Sequence, residues 1–215
     1  MKEYHKIQTV FLRDPSTKFK TLSIGQWAKP EFEYLKDTEW VWTEKVDGTN
    51  IRVIRNNGAV SFKGRSEKSQ MSGDLASRLV ELFPIKKLDE AFNPVAEICL
   101  YGEGYGNKIQ KAGKFYNPDG VDFILFDVLI GPTEGRKIWL ERHNIEMVAD
   151  SLGIQVVPIV GYGTLGSAIQ HTKNGYLSML GDIHAEGLIL KPKIELRDRL
   201  GQRIITKIKT KDFII

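Results

Sequence analysis

Residues 39–63, EWVWTEKVDGTNIRVIRNNGAVSFK, constrain the fold more than any other stretch, because two turn signals interrupt one run of strand-forming residues. An apolar, strand-like segment reaches Lys45, turns at Asp47-Gly48 and resumes at Ile51–Val53. Asn57-Gly58 then favours a hairpin turn, since both positions tolerate positive φ, and Ala59–Lys63 is the returning strand.

The rest of the chain reads as further strands with helices between them. From Gly73, the spacing of Leu75, Leu79, Leu82 and Phe83 predicts an amphipathic helix stopped by Pro84. Val95–Tyr101 and Asp122–Ile130 are short, dense apolar runs of the buried-strand type. Residues 137–151 show helical spacing at Ile138, Ile145, Val148 and Ala149, with Gly153 as the end signal. Ile154–Val160 reads as a strand, 165–180 as a helix, and 187–191 and 203–209 as strands; residues 1–40 read as an irregular lead-in with short strands. The fold class is therefore α+β, with mostly antiparallel sheets flanked by helices. With 215 residues, no repeat and no linker, residues 1–215 are expected to form a single domain.

Composition narrows the functional classes. No apolar run approaches the roughly 20 residues that span a bilayer, and MKEYHKIQTV has no signal-peptide pattern, so no membrane association is expected. The single cysteine, Cys99, allows no internal disulfide and points to a reducing, cytoplasmic setting, where it serves as a small buried hydrophobe. A net charge of +4 is compatible with a polyanionic partner without requiring one. Oligomeric state is not legible.

Five segments carry candidate chemistry: Lys45-Val46-Asp47-Gly48, YGEGYG at 101–106, ILFDV at 124–128, EGLILKPK at 186–193 and ITKIKTK at 205–211. Each has a plainer explanation. A lysine before an Asp-Gly turn is usually solvated, and Arg65 after the hairpin is by default a loop charge. Lys207 and Lys209, on one face of a strand, could be lysines that blunt a C-terminal sheet edge. Glu186 and Lys191 could cap a strand at the surface, and Phe126 could be a core ring. The glycines at 102, 104 and 106 let backbone approach a ligand closely, but the string is not G-x-G-x-x-G.

Taken together and in this order, the five segments resemble the motif series of the covalent nucleotidyltransferases, the ATP-dependent DNA and RNA ligases and mRNA capping enzymes. Over residues 40–211 the chain is most similar to the nucleotidyltransferase domain of ATP-dependent RNA ligases of the RNA ligase 2 branch. Asp47 is the commoner superfamily form of its motif. The resemblance implies a nucleotidyltransferase (ATP-grasp-like) fold with a nucleotide pocket between its sheets. It implies an ATP-dependent RNA ligase in which Lys45 attacks the α-phosphate of ATP and becomes lysyl-AMP. AMP then passes to an RNA 5′-phosphate, and a 3′-OH displaces it.

The remaining roles follow from the same resemblance. Glu44 and Lys191 would face the adenine edge, where Lys191 can donate to adenine N1 but meets an opposed N–H on guanine. Phe126 would stack on the adenine face. Asn50 and Glu103 would contact the ribose, and Arg65 a ribose or phosphate oxygen. Glu186 would hold Mg²⁺ (or Mn²⁺) through water. Lys207 and Lys209 would bind the α-phosphate and make Lys45 easier to deprotonate. That help matters, because at the ordinary lysine pKa of about 10.4 only roughly one amine in two thousand is neutral at pH 7. Superfamily members usually carry an OB or helical module after this domain. Only Asp212–Ile215 follow here, so a minimal ligase or a catalytic fragment is expected. A GTP-using capping guanylyltransferase, a minimal DNA ligase and a non-catalytic nucleic-acid-binding domain are the alternatives.

Overall fold

The computed structural model describes residues 3–66, 69–92, 96–132 and 135–213. The elements in chain order are β1 (Gln8–Thr9), β2 (Phe11–Arg13), β3 (Leu22–Trp27), α1 (Pro30–Tyr34), β4 (Trp40–Glu44), β5 (Thr49–Asn56) and β6 (Ala59–Lys63). They continue as α2 (Gly73–Leu82), α3 (Ile85–Ala91), β7 (Glu97–Gly106), α4 (Gly113–Tyr116), β8 (Val121–Gly131), β9 (Ile138–Trp139) and α5 (Arg142–Leu152). The last are β10 (Gln155–Val156), β11 (Ile159–Gly163), α6 (Leu165–Asn174), β12 (Gly187–Pro192) and β13 (Thr206–Lys209). No helix among the described residues is long and apolar enough to cross a membrane. The chain forms two compact units: Asp47–Val157 with the N-terminal segment through Tyr4, and His5–Val46 with the chain from Pro158 onward.

The first unit is built on the sheet β10-β8-β7-β5-β6, with β9 paired to β8. The hairpin between β5 and β6 turns at Asn57 and Gly58, both at positive φ (49° and 71°), as the Asn-Gly pair predicts. α2 starts where the Ser72 hydroxyl accepts from the Leu75 N–H, and Pro84 follows its end. Its buried stripe, Leu75, Leu79 and Leu82, packs with Ile51, Val53, Leu100, Phe123 and Ile145 in one apolar core. Cys99 is buried, and burial pushes its thiol pKa up to about 12, so it is an inert hydrophobe.

The second unit carries the sheet β1-β13-β12-β4-β11 and the β2-β3 hairpin. Its burial alternates as a half-buried sheet requires: Trp40 and Trp42 of β4, Leu188 and Leu190 of β12, and Ile208 of β13 pack with Leu165 and Ala168 of α6. Val41, Thr43, Ile189, Lys191, Lys207 and Lys209 alternate onto the opposite face.

The architecture is α+β and mostly antiparallel; β1 with β13 and β10 with β8 are the parallel pairs. Several boundaries differ from the sequence expectation. The strand expected at Val95–Tyr101 runs from Glu97 through YGEGYG to Gly106, and Val95 itself lies outside the described residues. Ile138 belongs to β9, paired with Ile130, and the helix begins only at Arg142. Pro158, which has no N–H to donate, splits the expected strand at Ile154–Val160 into β10 and β11. The helix expected over 165–180 ends at Asn174, where Gly175 takes φ 72°. α1 and α3 are short helices that the sequence pattern did not reveal.

Candidate active site

In the second unit, strand alternation gathers the candidate lysines. β12 pairs with β4 and β13 on either side, and the register sets Ile189 between Thr43 and Lys207, with Lys191 opposite Val41 and Lys209 opposite Gly187. Lys45 follows directly after β4, and its backbone N–H donates to the Gly187 carbonyl at 2.8 Å. The Lys45 ammonium lies 2.5 Å from one Glu186 oxygen, and the Lys209 ammonium 2.6 Å from the other. The three side chains are 17–22% exposed, so this is a sheltered ion cluster rather than a surface one. Burial alone would push the Glu186 carboxyl up, but the charges and hydrogen bonds of Lys45 and Lys209 prevail and hold it below its ordinary value.

The backbone around this cluster is fixed from several directions. The Thr210 N–H donates to the Glu186 carbonyl at 2.9 Å, and the Thr210 hydroxyl to the Ala185 carbonyl at 2.9 Å. The Lys209 N–H donates to Asp212 at 3.1 Å, whose other oxygen accepts from Arg13 at 2.9 Å. β13 lies between β1 and β12, so Lys207 and Lys209 are not gatekeepers of an open sheet edge.

Glu44 lies on the other face of β4. It is 1% exposed and belongs to the inward set of β4 with Trp40 and Trp42, opposite the face that carries Lys191. Its carboxylate accepts from the Ser178 hydroxyl at 2.5 Å and from the Met179 N–H at 2.8 Å. Glu44 thus ties down the loop after α6.

In the first unit, Asn50 and Glu103 are direct cross-strand neighbours on β5 and β7. The Asn50 side-chain carbonyl is buried and has no hydrogen-bond partner among the described residues, leaving an acceptor that a ligand hydroxyl could satisfy. The Asp47-Gly48 turn presses on the same place: a Cβ on Gly48 would sit 2.4 Å from the Gly104 carbonyl oxygen and 2.7 Å from Glu103 Cγ. Glycine is thus required by close packing. The alternate glycines of β7 have the same kind of origin, since a Cβ on Gly102 would fall 2.2 Å from the Phe123 ring and one on Gly104 2.6 Å from Leu75. They make room for the core rather than for a ligand.

Phe126 is half-buried on β8, its ring edge-on to Tyr4 with centroids 5.0 Å apart. Tyr4 also stacks near Tyr101 and Trp139 and donates its hydroxyl to the buried Asp127. Arg65 is exposed in the loop after β6. Tyr4, Ser178 and Met179 escaped sequence reading because each contact spans more than a hundred residues with no motif to mark it. Among the described residues, no three His, Cys, Asp or Glu side chains cluster to form a metal cage. A lone sheltered carboxylate at Glu186 suits Mg²⁺, which keeps much of its water and takes further ligands from substrate phosphates.

Comparison with known proteins bears on the fold. Two variants of RNA ligase from Naegleria gruberi, each solved with ATP and Mn, superpose with TM-scores of 0.62 and 0.66 at 20% and 19% identity. They cover 85% and 97% of this chain, which accounts for 54% and 56% of theirs. The same enzyme solved with PPi gives a TM-score of 0.64 at 18% identity, over 96% of this chain and 57% of the other. The chain thus spans a little over half the length of the solved structures it matches, and at such identity the likeness speaks for the fold. The family signature for RNA ligase matches residues 38–209, a span that opens two residues before β4 and closes on Lys209. That match covers well over half of the sequence, so the chain belongs to the RNA ligase family.

Proposed function

We propose that the protein is an ATP-dependent RNA ligase, with residues 1–215 acting as one adenylyltransferase domain in the cytoplasm. The observation that carries this reading is Glu186 held between Lys45 and Lys209, on a sheet face that also bears Lys191 and Lys207. A sheltered group of cations around one carboxylate suits a triphosphate and a nucleophilic amine better than it suits stability, because desolvating such charges is costly.

In this reading Lys45 gives up its bond to Glu186 and its proton. Its lone pair forms a P–N bond to the α-phosphate, and the bond to pyrophosphate breaks. Lys207 and Lys209 hold α-phosphate oxygens and stabilise the charge that develops there. Lys191 reads the adenine edge, Phe126 takes the adenine face, and Asn50, Glu103 and Arg65 contact the ribose and phosphates. Glu186, released from Lys45, would hold Mg²⁺ (or Mn²⁺), which when bound neutralises phosphate charge. The P–N bond of lysyl-AMP then breaks as an RNA 5′-phosphate takes the AMP, and a 3′-OH attacks the resulting pyrophosphate linkage to release AMP and join the ends.

The test is incubation with Mg²⁺, ATP and a 5′-phosphorylated RNA, with GTP and 5′-phosphorylated DNA in parallel. Adenylylated and then joined RNA, formed from ATP, is the expected result. Guanylyl transfer from GTP would mean capping chemistry, and joining of DNA but not RNA would mean a DNA ligase.

A further inference from the structure

Between β7 and β8 the chain makes an excursion, Asn107–Tyr116 (NKIQKAGKFY), that holds three lysines, an exposed phenylalanine and no acidic residue. Its inner side is fixed to the sheet. Ile109 and Ala112 are buried, Asn107 N–H donates to the Gly120 carbonyl at 2.7 Å, and Ile109 N–H to the Gly106 carbonyl at 3.0 Å. A Cβ on Gly113 would fall 1.8 Å from the Gly106 oxygen. Lys108 and Gln110 are held at φ 65° and 56°, a region that residues other than glycine seldom occupy.

The outer side is what this fixed backbone presents. Lys108, Lys111, Lys114 and Phe115 are exposed, and the Lys114 ammonium lies 5.0 Å from the centre of the Phe115 ring. Among the described residues none of these lysines pairs with a carboxylate; the nearby Asp122 is engaged by Arg78. The end of the excursion also reaches the Asp47-Gly48 turn: the Tyr116 hydroxyl is 3.5 Å from the Asp47 amide nitrogen.

We propose that Asn107–Tyr116 is a platform that binds the single-stranded RNA substrate. Lys108, Lys111 and Lys114 track successive phosphates, and Phe115 stacks on a base. Unpaired cations on a rigid backbone beside an exposed ring form the pairing of electrostatic track and stacking surface that single strands require. Aromatic exposure is unfavourable in a free protein, and a base face covers it. The choice of RNA as occupant rests on the ligase reading above.

The test measures binding of a fluorescein-labelled, 5′-phosphorylated single-stranded RNA by anisotropy across a salt series. It compares wild type, the combined Lys108→Gln, Lys111→Gln and Lys114→Gln variant, and Phe115→Ala. Lysyl-AMP formation from labelled ATP, without RNA, is followed on the same proteins. Each phosphate contact contributes about 0.7 to the slope of log K against log salt for single strands, so the triple variant loses about 2 from that slope. Phe115→Ala weakens binding roughly tenfold and leaves the slope unchanged. Lysyl-AMP formation persists in both variants. Wild-type affinity and slope in both variants would overturn the platform, as would loss of lysyl-AMP formation in step with binding, which would mean general damage to the unit. If wild type binds RNA through this loop but forms no lysyl-AMP, the ligase reading fails and the platform stands; lysyl-AMP formation with no RNA binding gives the reverse.

Discussion

Replacing Glu44 by alanine separates two roles for this carboxylate, anchor or nucleotide contact. Glu44 is 1% exposed and accepts hydrogen bonds from Ser178 and Met179 at 2.5 and 2.8 Å. Hydrogen bonds to a charged group contribute about 1.5–3 kcal/mol each. Truncation does not forfeit the sum, because Met179 is 60% exposed and water can reach the freed donors. About 2 kcal/mol is the expected net loss, and in a domain of this size each kcal/mol moves Tm by about 2–4 °C. Glu44→Ala should therefore lower Tm by about 4–8 °C. Glu44→Gln, which keeps an acceptor oxygen but not the charge, should lower it by about half as much. Calorimetry reads the stability, and ATP titration of lysyl-AMP formation well below Tm reads the site. An unchanged Tm together with a raised ATP requirement would refute the anchor and return Glu44 to the adenine edge.

Four further substitutions test neighbouring parts of the account. Lys209→Ala or Lys207→Ala should slow lysyl-AMP formation by about 100-fold or more, the usual effect of removing one donor to a developing charge; wild-type rates in both would make these lysines structural. Phe126→Ala should raise the ATP concentration for half-maximal labelling several-fold, since ring stacking is lost; if it lowers only Tm, the ring serves the cluster around Tyr4. Gly102→Ala should cost about 2 kcal/mol by overpacking against Phe123, seen in denaturant unfolding, and an unchanged midpoint would mean the ring can move aside.

How much of this was legible in the sequence depends on how local the determinant is. The hairpin at Asn57-Gly58, the helix begun at Ser72 and halted by Pro84, and the left-handed Gly153 that ends α5 are all set by residues adjacent in the chain. β9 was hidden because Ile138 and Trp139 are too few to show a period of two, and Ile138 happens to fit a helical spacing with Ile145. The division of Ile154–Val160 between a parallel pair with β8 and an antiparallel pair with β4 depends on distant partners. The same holds at the site. Lys207 and Lys209 share a face by simple alternation, as expected, whereas Glu186 meets Lys45 across 141 residues, which no spacing predicts. The contacts of Glu44 with Ser178 and Met179 likewise span 134 and 135 residues, with no local pattern to reveal them.

The most direct test of the account is to mix purified protein with ATP and Mg²⁺, follow its intact mass, and map any adduct by peptide sequencing. The account predicts one adenylyl group, attached through an acid-labile P–N bond to Lys45 and absent from Lys45→Ala. An adduct on any other residue, or folded wild-type protein that gains no mass, would contradict it.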